Sequence, residues 1–169
     1  MSVASSSDIR SLGDFILGAW RKAGPRAWGW TGATDASIHE LASAKYLQQL
    51  TTNPNVKILL ARDRTRILGF AASRKVDDRR IELAGIIVSE SETGTGIGTA
   101  LMNASLESAL AGGFEEMIVK TETFNTRAIG FYEAKGFRRT GTESEEVEGK
   151  SVSLAVLKRK LSNKGPWSG

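Results

Sequence analysis

The chain contains no cysteine. Disulfides, thiolate metal sites and a cysteine nucleophile are excluded together by that one absence. Histidine is almost as scarce, with His39 the single example, so a histidine-rich metal site is excluded as well. No stretch is apolar for long enough to span a bilayer. The first residues lack the charged-then-apolar pattern of a secretory signal. A cytoplasmic location, with no membrane partner, is the resulting expectation. Basic stripes interleaved with aromatics are also missing, which argues against nucleic acid as a partner.

What is present fits one ordinary globular domain. The 169 residues are 40% hydrophobic and 25% charged, enough to bury a sizeable core. Residues 1–161 are read as that domain. Residues 162–169 have no periodicity and are expected to form a flexible tail. The formal net charge of +4 suits an anionic ligand.

One stretch, from Gly85 to Leu101, organises the rest. An apolar, β-branched run ends at Val88 and reads as a buried strand. A polar loop from Ser89 to Glu92 follows, then Gly94, Gly96 and Gly98 lead into an apolar helical segment. Glycines let a backbone turn tightly and approach a ligand closely. A helix beginning among them has unpaired N–H groups at the positive end of its dipole, which together seat a phosphate or pyrophosphate. No lysine follows these glycines at the spacing a P-loop requires. The dinucleotide fingerprint fits poorly, because the third glycine comes one residue early and Glu115 and Glu116 precede the next strand instead of ending it.

Elsewhere the periodicities predict a short first strand over Ser2 to Ala4 and a helix carrying Ile9, Leu12, Ile16 and Trp20. Trp28 and Trp30 lie in a glycine-rich loop and either line a substrate site or pack the loop onto the core. A second helix, capped by Asp35 or Ser37 with a Ser37–Glu40 capping box, carries Ile38, Ala42, Tyr46 and Leu50 and ends at Asn53. His39 lies off its apolar stripe. Strands are expected over Val56 to Ala61, Ile67 to Ala72 and Arg80 to Val88, with another from Met117. Strand, helix and strand in succession imply a parallel pair around the glycine turn. Asn125 is placed to cap a helix bearing Ala128, Phe131 and Tyr132, and Gly136 to end it in a left-handed cap. A final hairpin from Phe137 to Leu161 turns near residues 148–150.

Two of these motifs resemble a known family, the GNAT superfamily of N-acetyltransferases. Thr93-Gly-Thr-Gly96-Ile-Gly98 resembles its glycine signature, except that Thr93 stands where Arg or Gln is usual. Asn125-Thr-Arg-Ala128-Ile-Gly-Phe131-Tyr132-Glu-Ala-Lys-Gly136-Phe137 resembles its Asn-x-x-Ala-x-x-Phe-Tyr-x-x-x-Gly-Phe helix at every marked position. The resemblance implies a mixed α/β (α+β) architecture, the GNAT fold. Its central sheet would have roughly six to seven strands flanked by about four helices, with a splayed parallel pair at the acyl-coenzyme A site.

The function implied is transfer of an acetyl group from acetyl-CoA, as co-substrate and without a metal, to a primary amine by direct attack in a ternary complex. The acceptor would be a small amine, a protein lysine or a protein N-terminus. Cofactor contacts carried over are Ile86, Ile87 and Val88 along the strand, Thr93, Gly94, Thr95, Gly96, Ile97, Gly98 and Thr99 in the turn, and Asn125 and Phe131. Tyr132 occupies the position of the acid that meets the coenzyme A sulfur. Glu82 is the candidate base, with a strand glutamate paired to Arg79 or Arg80 as the alternative. Glu143, Glu145, Glu146 and Glu148 either attract a cationic acceptor or simply keep the hairpin solvated. A non-catalytic acyl-CoA sensor, another acyl donor, and monomer versus homodimer stay open at this point.

Overall fold

A computed structural model describes residues 1–24, 34–147 and 149–162. Seven strands form one sheet in the order β1-β2-β3-β4-β5-β7-β6. They are β1 (Ser2–Val3), β2 (Val56–Asp63), β3 (Arg66–Lys75), β4 (Arg80–Val88), β5 (Glu116–Glu122), β6 (Arg138–Val147) and β7 (Lys150–Lys160). Among the described residues the α-helices are α1 (Ile9–Ala23), α2 (Asp35–Leu41), α3 (Ala44–Thr52), α4 (Ile97–Ala111) and α5 (Thr126–Ala134). None of them is long and apolar enough to cross a membrane.

Among the described residues only β4 and β5 pair in parallel, and every other neighbouring pair is antiparallel. The expected mixed sheet and the parallel pair around the glycine turn are both present.

Alternation along the strands sends side chains to two separate cores. On one face, Leu59, Ala71, Ile81, Leu83, Met117, Val119 and Leu157 pack against Leu101, Met102 and Leu106 of α4 and Tyr132 of α5. On the other, Ile58, Leu60, Phe70 and Ile87 meet Leu12 and Ile16 of α1, Ile38 of α2 and Leu47 of α3. Helix α4 is therefore the partner of β2, β3 and β4 on the first face. Its apolar circumference follows from that position, since α5 closes the same layer beside it.

The expected second helix is divided in two. Thr34, not Asp35 or Ser37, is its cap, and the capping box is Thr34 with Ser37. The helix stops at Leu41, and Ser43 caps a new one by accepting a hydrogen bond from the Tyr46 N–H at 3.2 Å. The Ser43 hydroxyl competes with helical continuation, as serine commonly does. The break also changes which residue is buried: Leu47 enters the core, where the unbroken pattern has Tyr46.

At the N-terminus, Asp8 is held by Arg62 of β2 at 2.6 Å and by the Ser5 N–H at 2.8 Å. Burial alone would push its carboxyl up, but the hydrogen bonds from Arg62 and Ser5 outweigh burial and hold it below the usual range.

Candidate active site

The two parallel strands part company midway. Their register runs Arg80–Glu116, Ile81–Met117, Glu82–Ile118 and Leu83–Val119, and there it ends. Beyond that point β4 stays paired with β3 as far as Val88, and β5 stays with β7 as far as Glu122. A gap opens between them, floored by backbone rather than by a strand partner. The opening coincides with an irregularity in β4: Ser73 pairs with Leu83 while Ala72 pairs with Gly85, leaving Ala84 without an opposite number on β3. Such a bulge bends its strand and increases the local twist, which steers β4 away from β5.

Ile86, Ile87 and Val88 line the β4 side of the gap through their backbone. Their side chains are anchored elsewhere, with Ile87 in the core under α1 and Ile86 and Val88 against the core under α4. Gly69 of β3 locks this segment from behind. A Cβ there would lie 2.7 Å from the Ile87 carbonyl oxygen and 3.1 Å from Leu101 Cδ1. Nothing in the sequence pattern singled Gly69 out, because its constraint comes from a neighbour that only the register reveals.

After β4 the chain makes a short 3-10 turn, Glu90–Glu92, and then the glycine bend. Gly94 and Gly96 both have positive φ, +83° and +91°, a region costly for residues with a Cβ. Two of the expected amide donors are already used: the Thr93 N–H donates to the Glu90 carbonyl and the Thr95 N–H to the Glu92 carbonyl. Among the described residues, the N–H groups of Gly94, Gly96, Ile97, Gly98 and Thr99 have no such partner, and the first helical bond runs from Ala100 to Gly96. Five donors without a backbone partner thus cluster in sequence at the start of α4, just past the end of β4, as an anion seat requires.

Helix α5 brings its residues to the opposite wall. The Asn125 side chain caps it by accepting from the Ala128 N–H at 3.1 Å, which leaves the side-chain amide NH2 available. The tip of the Phe131 ring lies 4.0 Å from where a Gly98 Cβ would sit, so α5 touches the glycine bend directly. Tyr132 is buried in the core under α4, with its ring edge-on to Phe131 at 5.5 Å. Burial pushes its phenol up to about 12. Gly136 has the expected left-handed conformation, φ +82°.

Glu82 sits on β4 next to the last paired residue, with its side chain 15% exposed. Its partner is Arg74 on β3, at 2.9 Å, and not Arg79 or Arg80. Arg79 instead pairs with Glu115, and Arg80 with Asp77 at 2.6 Å. Lys120 of β5 was not anticipated. It holds Glu143 at 2.7 Å and Glu145 at 3.7 Å, and the hydrogen bond it donates to Glu143 comes first among the causes that raise its ammonium above the usual lysine value. Two of the four hairpin acids are therefore tied down by a lysine beside the gap. Trp28, Trp30 and Glu148 lie outside the described residues. His39 is exposed on α2, as its position off the stripe predicts.

Two hollows, about 670 and 530 Å³, are at the other end of the sheet, lined by residues such as Asp77, Arg79, Glu115 and Lys160. Their walls are mostly charged side chains, several already paired with one another, and neither hollow reaches the gap.

The comparisons with known proteins agree with this geometry. The sequence model of the acetyltransferase (GNAT) family matches residues 21–137. An uncharacterized N-acetyltransferase of Mycobacterium tuberculosis (strain ATCC 25618 / H37Rv) is 33% identical over 121 residues, covering 72% of this chain and 77% of that protein. The fold is shared with a GNAT family acetyltransferase from Elizabethkingia anophelis with acetyl-CoA bound, at 22% identity and a TM-score of 0.58, covering 70% of this chain and 84% of that one. It is shared also with the PaiA N-acetyltransferase of Thermoplasma acidophilum in complex with coenzyme A, at 17% identity and a TM-score of 0.68, covering 95% and 99%. The parted parallel strands, the glycine bend and the matched relatives lead to one conclusion: this chain is an acetyltransferase and belongs to the GNAT family.

Proposed function

We propose that the protein is an acetyl-CoA-dependent N-acetyltransferase that moves an acetyl group to a primary amine by direct attack in a ternary complex. The observation that carries this reading is the end of β4–β5 pairing at Leu83 and Val119, immediately ahead of five free amides at the start of α4. An extended pantetheine arm fits beside β4 as a strand would, with the pyrophosphate on the amides of Gly94, Gly96, Ile97, Gly98 and Thr99.

The thioester carbonyl then lies near Val88. The acceptor nitrogen attacks the carbonyl carbon, the C–N bond forms, and negative charge gathers on the carbonyl oxygen. A backbone N–H of β4 stabilises that charge, a contribution typically of about 2.7–4 kcal/mol. As the intermediate collapses, the C–S bond breaks and sulfur leaves as a thiolate.

Tyr132 and Glu82 take the two proton tasks from different sides. Tyr132 belongs to the core under α4, whereas alternation puts Glu82 on the other face of β4. The amine proton leaves toward Glu82, directly or through a water, while the sulfur departs on the tyrosine side. A phenol pushed up to about 12 holds its proton firmly against a thiolate, the weaker base, since even an ordinary cysteine thiol ionises at about 8.5. Tyr132 therefore acts as a strong hydrogen-bond donor to the departing sulfur, and complete proton transfer follows from solvent.

A panel of amines and peptides, with thiol release from acetyl-CoA as the readout, tests the reaction. Acceptor-dependent release above background hydrolysis is expected. Tight coenzyme binding with no release for any amine would favour an acyl-CoA sensor, and faster release from another acyl-CoA would reassign the donor.

A further inference from the structure

The glycine bend lacks a cationic side chain of its own. Thr93 opens it, and the neighbouring Glu90 and Glu92 are acidic. Arg66 is the cation at hand on β3, but it pairs with Glu92 at 3.4 Å. A ligand bearing several phosphate charges therefore meets five amides and two carboxylates. Amide dipoles alone offset that repulsion poorly in a site open to water.

Lys135 approaches from the other wall. It is the C-terminal cap of α5, and Arg159 Nη1 fixes its carbonyl by donating at 2.5 Å. Its ammonium stands 5.8 Å from the centroid of the Phe131 ring. The tip of that same ring reaches to 4.0 Å from the Gly98 Cβ position. The side chain is half-buried, and among the described residues no carboxylate pairs with its ammonium. A cation at a helix C-terminus is favourable in itself. That accounts for a lysine here, but not for its placement over the aromatic ring that touches the bend. Arg127, the other cation on α5, is exposed on the first turn.

We propose that Lys135 supplies a cation for the phosphate groups at the nucleotide end of coenzyme A, which the glycine bend itself does not carry. This rests on the coenzyme A reading above. Coenzyme A offers two such groups, the pyrophosphate and the ribose 3′-phosphate, and the chemistry of recognition is the same for both.

Calorimetric titration of Lys135→Gln and the wild type, each with coenzyme A and with 3′-dephospho-coenzyme A, separates the sources. Removing one partly exposed cation is expected to weaken coenzyme A binding by about fivefold, and less at high salt. Equal weakening for both ligands assigns the pyrophosphate, and weakening for coenzyme A alone assigns the 3′-phosphate. Lys135→Arg should retain the wild-type affinity, and a loss equal to that of the glutamine variant would overturn charge as the cause. Thermal melts of both variants check the helix end. If Lys135→Gln binds both ligands as tightly as the wild type, the lysine assignment falls and the cofactor reading stands. Should the folded wild type bind neither ligand, both fall together.

Discussion

Phe137 and Tyr132 hold each other twice. The Phe137 N–H donates to the Tyr132 carbonyl at 3.1 Å, and their rings meet at 5.8 Å. With the Gly136 N–H donating to Glu133, this is the paired-bond ending that helices make through a left-handed glycine. The end of α5 thus fixes the height and tilt of the phenol. Tyr132→Phe should keep the fold and the coenzyme affinity while lowering kcat by about a hundredfold, a typical loss for a proton-donating group. Steady-state kinetics beside calorimetry measure this, and an unchanged kcat would remove Tyr132 from the chemistry.

The same phenol makes stability depend on alkaline pH. In the unfolded chain it ionises near 10, and in the folded protein near 12. Its raised value contributes stability that is complete below about pH 10 and is lost as pH rises through about 12, because the unfolded state releases the proton first. The full loss is about 2–3 kcal/mol. Urea unfolding at about pH 8, 10 and 11.5 should show the decline, with Tyr132→Phe lacking this component. Parallel declines in variant and wild type would contradict the assignment.

Glu82 makes a different prediction. Glu82→Gln keeps the shape but removes the proton acceptor, so kcat/KM should fall by about a hundredfold with coenzyme affinity unaltered. Arg74→Gln, which takes away the partner at 2.9 Å, should lower kcat/KM less than Glu82→Gln does, since it frees the carboxylate without removing it. A kcat/KM that both substitutions leave unchanged would return Glu82 to the role of a strand ion pair.

Gly69 tests the rigid backing of the gap. Alanine there places a Cβ 2.7 Å from the Ile87 carbonyl oxygen, and overpacking of this kind costs about 1–3 kcal/mol. Gly69→Ala should therefore lower the unfolding midpoint and weaken coenzyme binding together. Loss of stability without any change in binding would separate β3 from the positioning of β4.

Local chemistry was legible in the sequence wherever it is written in neighbouring residues. The glycine bend, the Asn125 cap and the Gly136 ending all follow from residue types at short spacing. What escaped depends on partners distant in the chain. Glu82 chose Arg74 because the β3–β4 register brings them together, and the nearer arginines went to Asp77 and Glu115. Lys120 gained its role only when β6 folded back beside β7. The divided second helix was missed for a similar reason. Ala42 lies against α1, where a Cβ on Gly13 would meet its carbonyl oxygen at 2.6 Å, and an uninterrupted helix is not the arrangement that packs there.

Ala84 works as a phase shifter. Ile81 and Leu83 before it, and Ile86 and Val88 after it, face the same core although an even spacing does not connect the two pairs. Deleting that one residue would restore plain alternation, with Ile81, Leu83, Ile86 and Val88 still on one face and Ile87 on the other, so both hydrophobic layers would survive. What would go is the local bend that coincides with the parting of β4 from β5. The gap between the parallel strands thus hangs on a single surplus residue that the packing of the sheet does not need.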